Sequence, residues 1–187
     1  MAKRNLVTPP ESRTMVKIVQ ADNFFQDVDA QKLYNLTVGL SFQPTDFGLE
    51  VEHFNLFTPG IEKTFRKVLH EDVIIDEERS GTFRIPMLIP HFEGFDSIDE
   101  WCFAVALEDN VMFNVYHHLD PRQEQFGQVD AYTALDGYKF NYRNMMEWKY
   151  AANYELNRNQ AIFFRPWMFH SFSGGLIHYY RLMPKKK

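Results

Sequence analysis

The chain has 187 residues, of which 45% are hydrophobic, and its formal net charge is −5 at pH 7. This length and hydrophobic content exclude intrinsic disorder and favour one domain with a sizeable core. The acidic balance argues against nucleic-acid partners, which need a basic face. No stretch approaches the roughly 18 apolar residues of a membrane span. The lone Cys102 cannot form an internal disulfide, so we expect a protein of the reducing cytoplasm.

The N-terminal part of the chain has a helical pattern. Residues 1–14 are polar and are predicted to form a loose lead-in to a single domain over 15–184. A strand from residue 15 should run into a turn near residue 25. A first helix is predicted over about 30–39, with Asp27 or Asp29 as its cap.

A second helix is marked more clearly by its cap and its apolar spacing. Thr58 can cap it, and Pro59 suits its first helical position. Ile61, Phe65 and Leu69 follow at helical spacing and predict one buried face.

Strand-like runs replace the helical pattern from about residue 72. They are short, aromatic and β-branched, and turn residues separate them. Helices first and strands afterwards predict a mainly β structure with flanking helices. The polar stretch 119–137 is either a lid over a site or an ordinary exposed loop. The predicted strands are 73–76, 81–89, 100–107, 111–118, 153–157, 161–167 and 176–183.

A histidine and an aspartate two residues apart form a candidate pair of metal ligands. His118 ends a predicted strand, and Asp120 shares its face if the chain stays extended. The same spacing recurs at His70 and Asp72, where a helix end explains the histidine better. The pair is therefore a weak signal by itself.

A second histidine and an arginine follow on the last two strands. His170 ends an apolar strand, a turn is predicted over SFSGG, and the returning strand carries Arg181 beside Tyr179 on one face. A guanidinium on an apolar face needs an anion. That anion is either a bound carboxylate or an internal Asp or Glu in a buried salt bridge.

In this order and spacing, His118, Asp120, His170 and Arg181 resemble the 2-oxoglutarate- and Fe(II)-dependent oxygenase family. The resemblance covers roughly residues 100–184. It implies a double-stranded β-helix, the cupin-like jelly roll of two packed sheets. It further implies that His118, Asp120 and His170 bind Fe(II), and that Arg181 binds the distal carboxylate of the co-substrate 2-oxoglutarate.

One departure from the family concerns the co-substrate. Several branches of the family carry Ser or Thr where Met183 stands, so Tyr116 or Tyr179 would have to supply a hydroxyl. Asn114 faces the same way as His118 and could also hydrogen-bond the co-substrate. Core packing explains Asn114 and Tyr116 equally well.

The resemblance implies hydroxylation of an unidentified small molecule or peptidyl side chain, with ascorbate as a reductant in vitro. Two other functions stay open on the residues alone. One is a cupin-like metal-binding protein with isomerase or hydrolase activity, because zinc also accepts His and Asp. The other is a non-catalytic jelly-roll binding module. The oligomeric state is not predicted.

Overall fold

Two antiparallel sheets enclose the interior of the protein. The larger sheet has seven strands, and the smaller sheet is built around the strand that carries His118. The computed structural model describes residues 18–45, 48–51, 60–85, 89–120, 127–129 and 143–185. The predicted lead-in over 1–14 and most of the polar stretch 119–137 lie outside these residues.

Two α-helices, one 3₁₀ turn and eleven strands make up the described part of the chain. In chain order they are β1 (Ile18–Ala21), α1 (Asp27–Val38), β2 (Gln43–Thr45), β3 (Gly48–Val51), α2 (Ile61–Leu69), β4 (Val73–Ile85), β5 (Trp101–Ala106), β6 (Val111–Asp120), β7 (Gly127–Val129), the 3₁₀ turn (Met145–Glu147), β8 (Trp148–Leu156), β9 (Ala161–Phe164), β10 (His170–Ser173) and β11 (Gly175–Pro184).

The order of the strands brings distant parts of the sequence together. The larger sheet runs β1-β9-β5-β11-β4-β3-β2, and in the smaller sheet β10 pairs with β6, which also pairs with β7 and β8. The described strand pairs are all antiparallel. The expectation of a mainly β fold with flanking helices is confirmed.

The strand β5 shows why the interior has two layers. All six of its residues are buried. Cys102 and Ala104 face the smaller sheet, where they join Phe113 of β6 and Phe164 of β9. Phe103 faces the other way and packs with residues of the helices. Alternation along one strand therefore serves both layers.

The helix α2 covers the outer face of the larger sheet as its spacing predicts. Ile61, Phe65 and Leu69 are buried, and the Phe65 ring lies 4.9 Å from that of Phe103 and 5.8 Å from that of Tyr180, between centroids. The predicted cap Thr58 and the following Pro59 lie outside the described residues.

The first helix begins earlier than predicted. It starts at Asp27 rather than near residue 30, so Asp27 and Asp29 lie in its first turn and Gln26 occupies the cap position. Acidic side chains in a first turn favour the helix through its dipole without acting as caps. Neither described α-helix has the length and apolar character needed to cross a membrane.

Several strands differ from the predicted ones. The strand β8 begins at Trp148 rather than at residue 153, and β9 ends at Phe164 rather than at residue 167, so His170 begins the separate strand β10 and does not end an apolar strand. The segments predicted over 73–76 and 81–89 are joined in the single strand β4, which pairs with β11 through a register shift after Tyr179. The turn predicted over SFSGG was wrong in position. His170–Ser173 is a strand, and the chain turns at Gly174, whose φ of 85° favours glycine.

Candidate metal centre

Two histidines and a glutamate converge inside the protein. Among the described residues, His91, Glu93 and His170 form the group whose potential metal-ligating atoms all lie within 4.8 Å of one another. The His170 side chain is 1% exposed, that of His91 20%, and that of Glu93 36%. The group is therefore buried on the His170 side and reaches solvent through the glutamate.

Backbone pairing holds the two histidines side by side. The amide of His91 donates to the His170 carbonyl at 2.9 Å, and the amide of His170 donates to the His91 carbonyl at 2.8 Å. Directly paired residues on antiparallel strands project on the same face. Glu93, two residues after His91, lies on the same side. Its backbone amide donates a hydrogen bond to the carbonyl oxygen of Pro166 at 2.9 Å. The arrangement is therefore held by an isolated β-bridge between the two histidines and by the hydrogen bond from Glu93 to Pro166.

Both imidazole rings are oriented by the same local device. The Nδ1 of His91 lies 3.0 Å from the Ile89 carbonyl oxygen, and the Nδ1 of His170 lies 2.9 Å from that of Met168. A carbonyl can only accept, so each Nδ1 carries a hydrogen. The Nε2 of His170 then presents a lone pair, and the Nε2 of His91 presents one once its ring is neutral. The Nε2 atoms lie 3.6 Å and 3.9 Å from Oε1 of Glu93.

The buried Nε2 of His170 has no hydrogen-bond partner. Its ring packs between aromatic side chains, with centroids 4.5 Å from Phe164 and 5.6 Å from Phe113. A buried polar atom without a partner is uncommon, because leaving it unpaired costs about 1–3 kcal/mol. An electron-pair acceptor beside Glu93 would satisfy it.

The protonation states favour a cation at this position. Burial raises the pKa of Glu93, but the neighbouring His91 and the charges of His170 and Arg181 outweigh it and lower that pKa to about 2. Burial, followed by the charge of His91, lowers the pKa of His170 to about 3. Burial also opposes the charged form of His91, yet Glu93 raises its pKa. At neutral pH the site holds an ionised carboxylate and a neutral His170.

These residues fit a divalent transition metal. Two imidazole nitrogens and one carboxylate are the donor set of the facial triad that leaves further positions open on non-heme iron. Ligating histidines commonly donate the other ring N–H to a backbone carbonyl, as both do here. Binding would displace a proton from the His91–Glu93 pair.

The predicted ligand His118 lies in a different environment. Its ring packs against Trp148 and Phe169, with centroids 4.6 Å and 6.2 Å away, and its Nε2 lies 3.5 Å from Glu147. His170 pairs with Val115, three residues before His118, so alternation places His118 and His170 on opposite faces of the smaller sheet.

The structure therefore does not bring His118 and His170 together. Asp120 ends β6, but its side chain lies outside the described residues. The set of His118, Asp120 and His170 stays a prediction from sequence, whereas the described side chains assemble His170 with His91 and Glu93.

The predicted co-substrate residues lie in two different places, on the face of the smaller sheet that points away from His170 and in the interior. Tyr116 hydrogen-bonds Ser171 at 3.0 Å, on the face of the smaller sheet opposite His170. Asn114 pairs with Ser171 on that same face. Tyr179 lies inside, where its hydroxyl donates to Sγ of Cys102 at 3.0 Å.

Arg181 faces the interior, but the carboxylate of Glu100 already accepts hydrogen bonds from its guanidinium. Its Nε and Nη2 lie 2.9 Å and 2.6 Å from Oε2 of Glu100, and its Nη1 lies 3.2 Å from Sγ of Cys102. Arg181 is 1% exposed and the Glu100 side chain is fully buried. Of the two partners that the sequence left open, the structure contains the internal salt bridge.

The sequence analysis missed His91 and Glu93. They form a His-x-Glu motif in PHFEG, after the end of a predicted strand. The predicted pair His118 and Asp120 has aspartate as its third residue, although a glutamate supplies the same carboxylate. A second signal was available, because His91 and His170 each follow an apolar run that contains a proline.

Comparisons with known proteins agree on the fold. No family model matches the sequence, and no curated protein matches it. The fold is similar to that of the non-heme α-ketoglutarate-dependent epimerase SnoN from nogalamycin biosynthesis (TM-score 0.55, 12% identity, 90% of this chain and 78% of that one). The fold is also similar to that of the non-heme α-ketoglutarate-dependent carbocyclase SnoK from the same biosynthesis, with a TM-score of 0.55 and 10% identity. That match covers 90% of this chain and 79% of SnoK.

A third solved structure is HygX from Streptomyces hygroscopicus, with nickel and 2-oxoglutarate bound. It has a TM-score of 0.51 and 9% identity, and the match covers 90% of this chain and 83% of that one. At these identities the likeness establishes the fold alone. The expected cupin-like jelly roll is confirmed.

Proposed function

We propose that this protein is a non-heme metal enzyme dependent on 2-oxoglutarate, with the metal held by His91, Glu93 and His170. The observation that carries the proposal is the buried, unpartnered Nε2 of His170 beside the carboxylate of Glu93. The jelly-roll fold supports it, since SnoN, SnoK and HygX are described with α-ketoglutarate or 2-oxoglutarate. Iron(II) is the metal we expect, and three protein ligands leave it open positions for a co-substrate.

The protein residues have separate tasks in this proposal. Glu93 supplies the anionic ligand, and its exposed side opens the site to incoming molecules. The carbonyls of Ile89 and Met168 hold the two rings in one tautomer. Phe113 and Phe164 keep water from the buried side of His170.

The reaction we propose is hydroxylation of a small molecule or a peptidyl side chain, with ascorbate keeping the iron reduced in vitro. Fold neighbours that epimerise or close a ring make the product worth measuring directly. Hydroxylation adds one oxygen atom, ring closure removes two hydrogen atoms, and epimerisation leaves the mass unchanged. Mass spectrometry of a turned-over substrate therefore separates the three outcomes.

The first experiment asks which residues hold the metal. Metal-free protein is titrated with Co(II) by calorimetry, comparing wild type with the matched variants His91→Gln and His118→Gln. We expect His91→Gln to weaken binding by at least about tenfold, the loss typical even of outer residues at metal sites. His118→Gln should bind as wild type does. Weaker binding in His118→Gln, with wild-type binding in His91→Gln, would support His118, Asp120 and His170 as the ligands instead.

The second experiment asks about the reaction class. Protein with Fe(II), ascorbate, dioxygen and 2-oxoglutarate should release succinate, and Glu93→Gln should remove most of that release. Protein that binds metal but not 2-oxoglutarate would favour a cupin-like isomerase or hydrolase. Protein that binds neither would leave the non-catalytic binding module.

A further inference from the structure

The guanidinium of Arg181 makes four contacts, one of which reaches the chain just after Glu93. Two go to Oε2 of Glu100 and one to Sγ of Cys102. The fourth is a hydrogen bond from Nη2 to the carbonyl oxygen of Gly94. Its backbone amide also donates to Oγ of Ser80 at 3.1 Å. The guanidinium therefore donates from all three of its nitrogens to protein atoms.

Glu100 completes the connection from the other side. Its Oε1 accepts from the backbone amides of Asp96 and Ser97, at 2.9 Å and 2.8 Å. Its Oε2 accepts from Arg181. A fully buried carboxylate with four donors is satisfied on both oxygens. It links Arg181 to the turn that follows Gly94.

The segment 94–100, which we name the ligand loop, runs from Glu93 to the start of β5. Two more long side chains hold its backbone. Nη1 of Arg165 donates to the Asp99 carbonyl at 2.8 Å, and Nε1 of Trp167 donates to that of Ile98 at 3.2 Å. Arg181 and Glu100 hold the half of the loop that is nearer to Glu93.

We propose that Arg181 is a positioning residue for the metal ligand Glu93 and does not anchor the distal carboxylate of a co-substrate. The proposal rests on the proposed function in one respect, that Glu93 binds the metal. To take a second carboxylate, Arg181 would have to release Gly94 and give up its contacts with Glu100, leaving that buried charge only the half-exposed Arg79, whose Nη1 lies 4.0 Å from Oε2. Breaking a buried ion pair in this way is strongly unfavourable. A dicarboxylate co-substrate must therefore find its second cation elsewhere.

The test replaces the ion pair without emptying the space. Arg181→Gln removes the charge and shortens the side chain. The double variant Arg181→Gln with Glu100→Gln puts an amide pair in its place, and the new side-chain carbonyl at position 100 can still accept from the Asp96 and Ser97 amides. Arg84→Gln is the matched control, because Arg84 makes a half-exposed pair with Glu108 at 3.0 Å. The readouts are the Co(II) affinity of metal-free protein and the 2-oxoglutarate affinity of Co(II)-loaded protein.

A positioning role predicts that Arg181→Gln weakens Co(II) binding by at least about tenfold, as outer residues at metal sites do. The double variant should recover most of that loss, because the ligand loop is tethered again, and its 2-oxoglutarate affinity should equal that of wild type. Arg84→Gln should change neither affinity.

The opposite pattern would overturn the proposal. Undiminished Co(II) binding in Arg181→Gln would show that Arg181 does not position Glu93. A tenfold loss of 2-oxoglutarate affinity in the double variant, at unchanged Co(II) affinity, would make Arg181 a co-substrate anchor. If Arg181→Gln does not fold, the 2-oxoglutarate affinity of the double variant decides alone. Wild-type protein that holds no Co(II) would instead defeat the proposed function.

Discussion

Two buried neutral histidines should make the protein sensitive to mild acid. His170 and His178 both have a pKa lowered to about 3, and burial is the leading cause in each case. The Nε2 of His178 has no hydrogen-bond partner, and its Nδ1 lies 2.6 Å from Oγ1 of Thr82. In the unfolded chain both rings should titrate near the ordinary histidine pKa of 6.5.

The sign and size of the effect follow from proton linkage. A histidine whose pKa is lowered by folding contributes stability that is complete above pH 6.5 and is lost as the pH falls toward 3. Between pH 6.5 and 4.5, each ring should cost about 2.3 kcal/mol of unfolding free energy, and the two together about 4–5 kcal/mol. Such a loss is comparable with the whole stability of many domains.

The perturbation is His178→Asn, which removes one titrating ring but keeps a polar group near Thr82. Urea unfolding at pH 6.5, 5.5 and 4.5, with a chelator present to exclude metal, gives the free energy of unfolding. The variant should lose about 2 kcal/mol less than wild type over this range. An equal loss in the two proteins would refute the assignment of His178 as a buried neutral group.

Three further predictions concern packing, the backbone and the thiol. Phe65→Ala should lower the free energy of unfolding by about 3–5 kcal/mol in urea, because the ring is fully buried beneath α2, and a cost below about 1 kcal/mol would contradict that packing. Gly174→Ala should lower the melting temperature, because φ is +85° and a new Cβ would lie 2.9 Å from the Asn110 carbonyl oxygen; an unchanged melting temperature would contradict the turn. Burial raises the pKa of Cys102 to about 12, so a disulfide reagent at pH 8 should label it only in denaturant, and rapid labelling of native protein would place the thiol at the surface.

Alternating sequence patterns predicted most of the strands, but they carry less information about which side chains meet at a site. The alternation along β6 does place Tyr116 and His118 on one face, since both rings pack near Trp148. Alternation within one strand cannot tell which face is the interior, and here the partner strand decides. His170 pairs with Val115, so it faces away from His118.

His91, the proposed ligand, was harder to recognise because its segment pairs with the rest of the described structure at a single bridge. It forms an isolated bridge to His170 outside the named strands. Its position depends on a contact between residues 91 and 170, and local sequence carries no information about such a pairing. The buried salt bridge of Arg181 was foreseen only as one of two alternatives, because Glu100 reaches it from the neighbouring strand end.

If His91 and His170 bind a metal as proposed, the reciprocal hydrogen bonds between them couple metal affinity to strand alignment. A slip of one residue between their segments would turn the side chains of one segment to the other face and separate the two rings at once. The site therefore has no partly formed state along this coordinate. During refolding, the appearance of tight metal binding would report the moment at which the segment around His91 and β10 reach their native alignment.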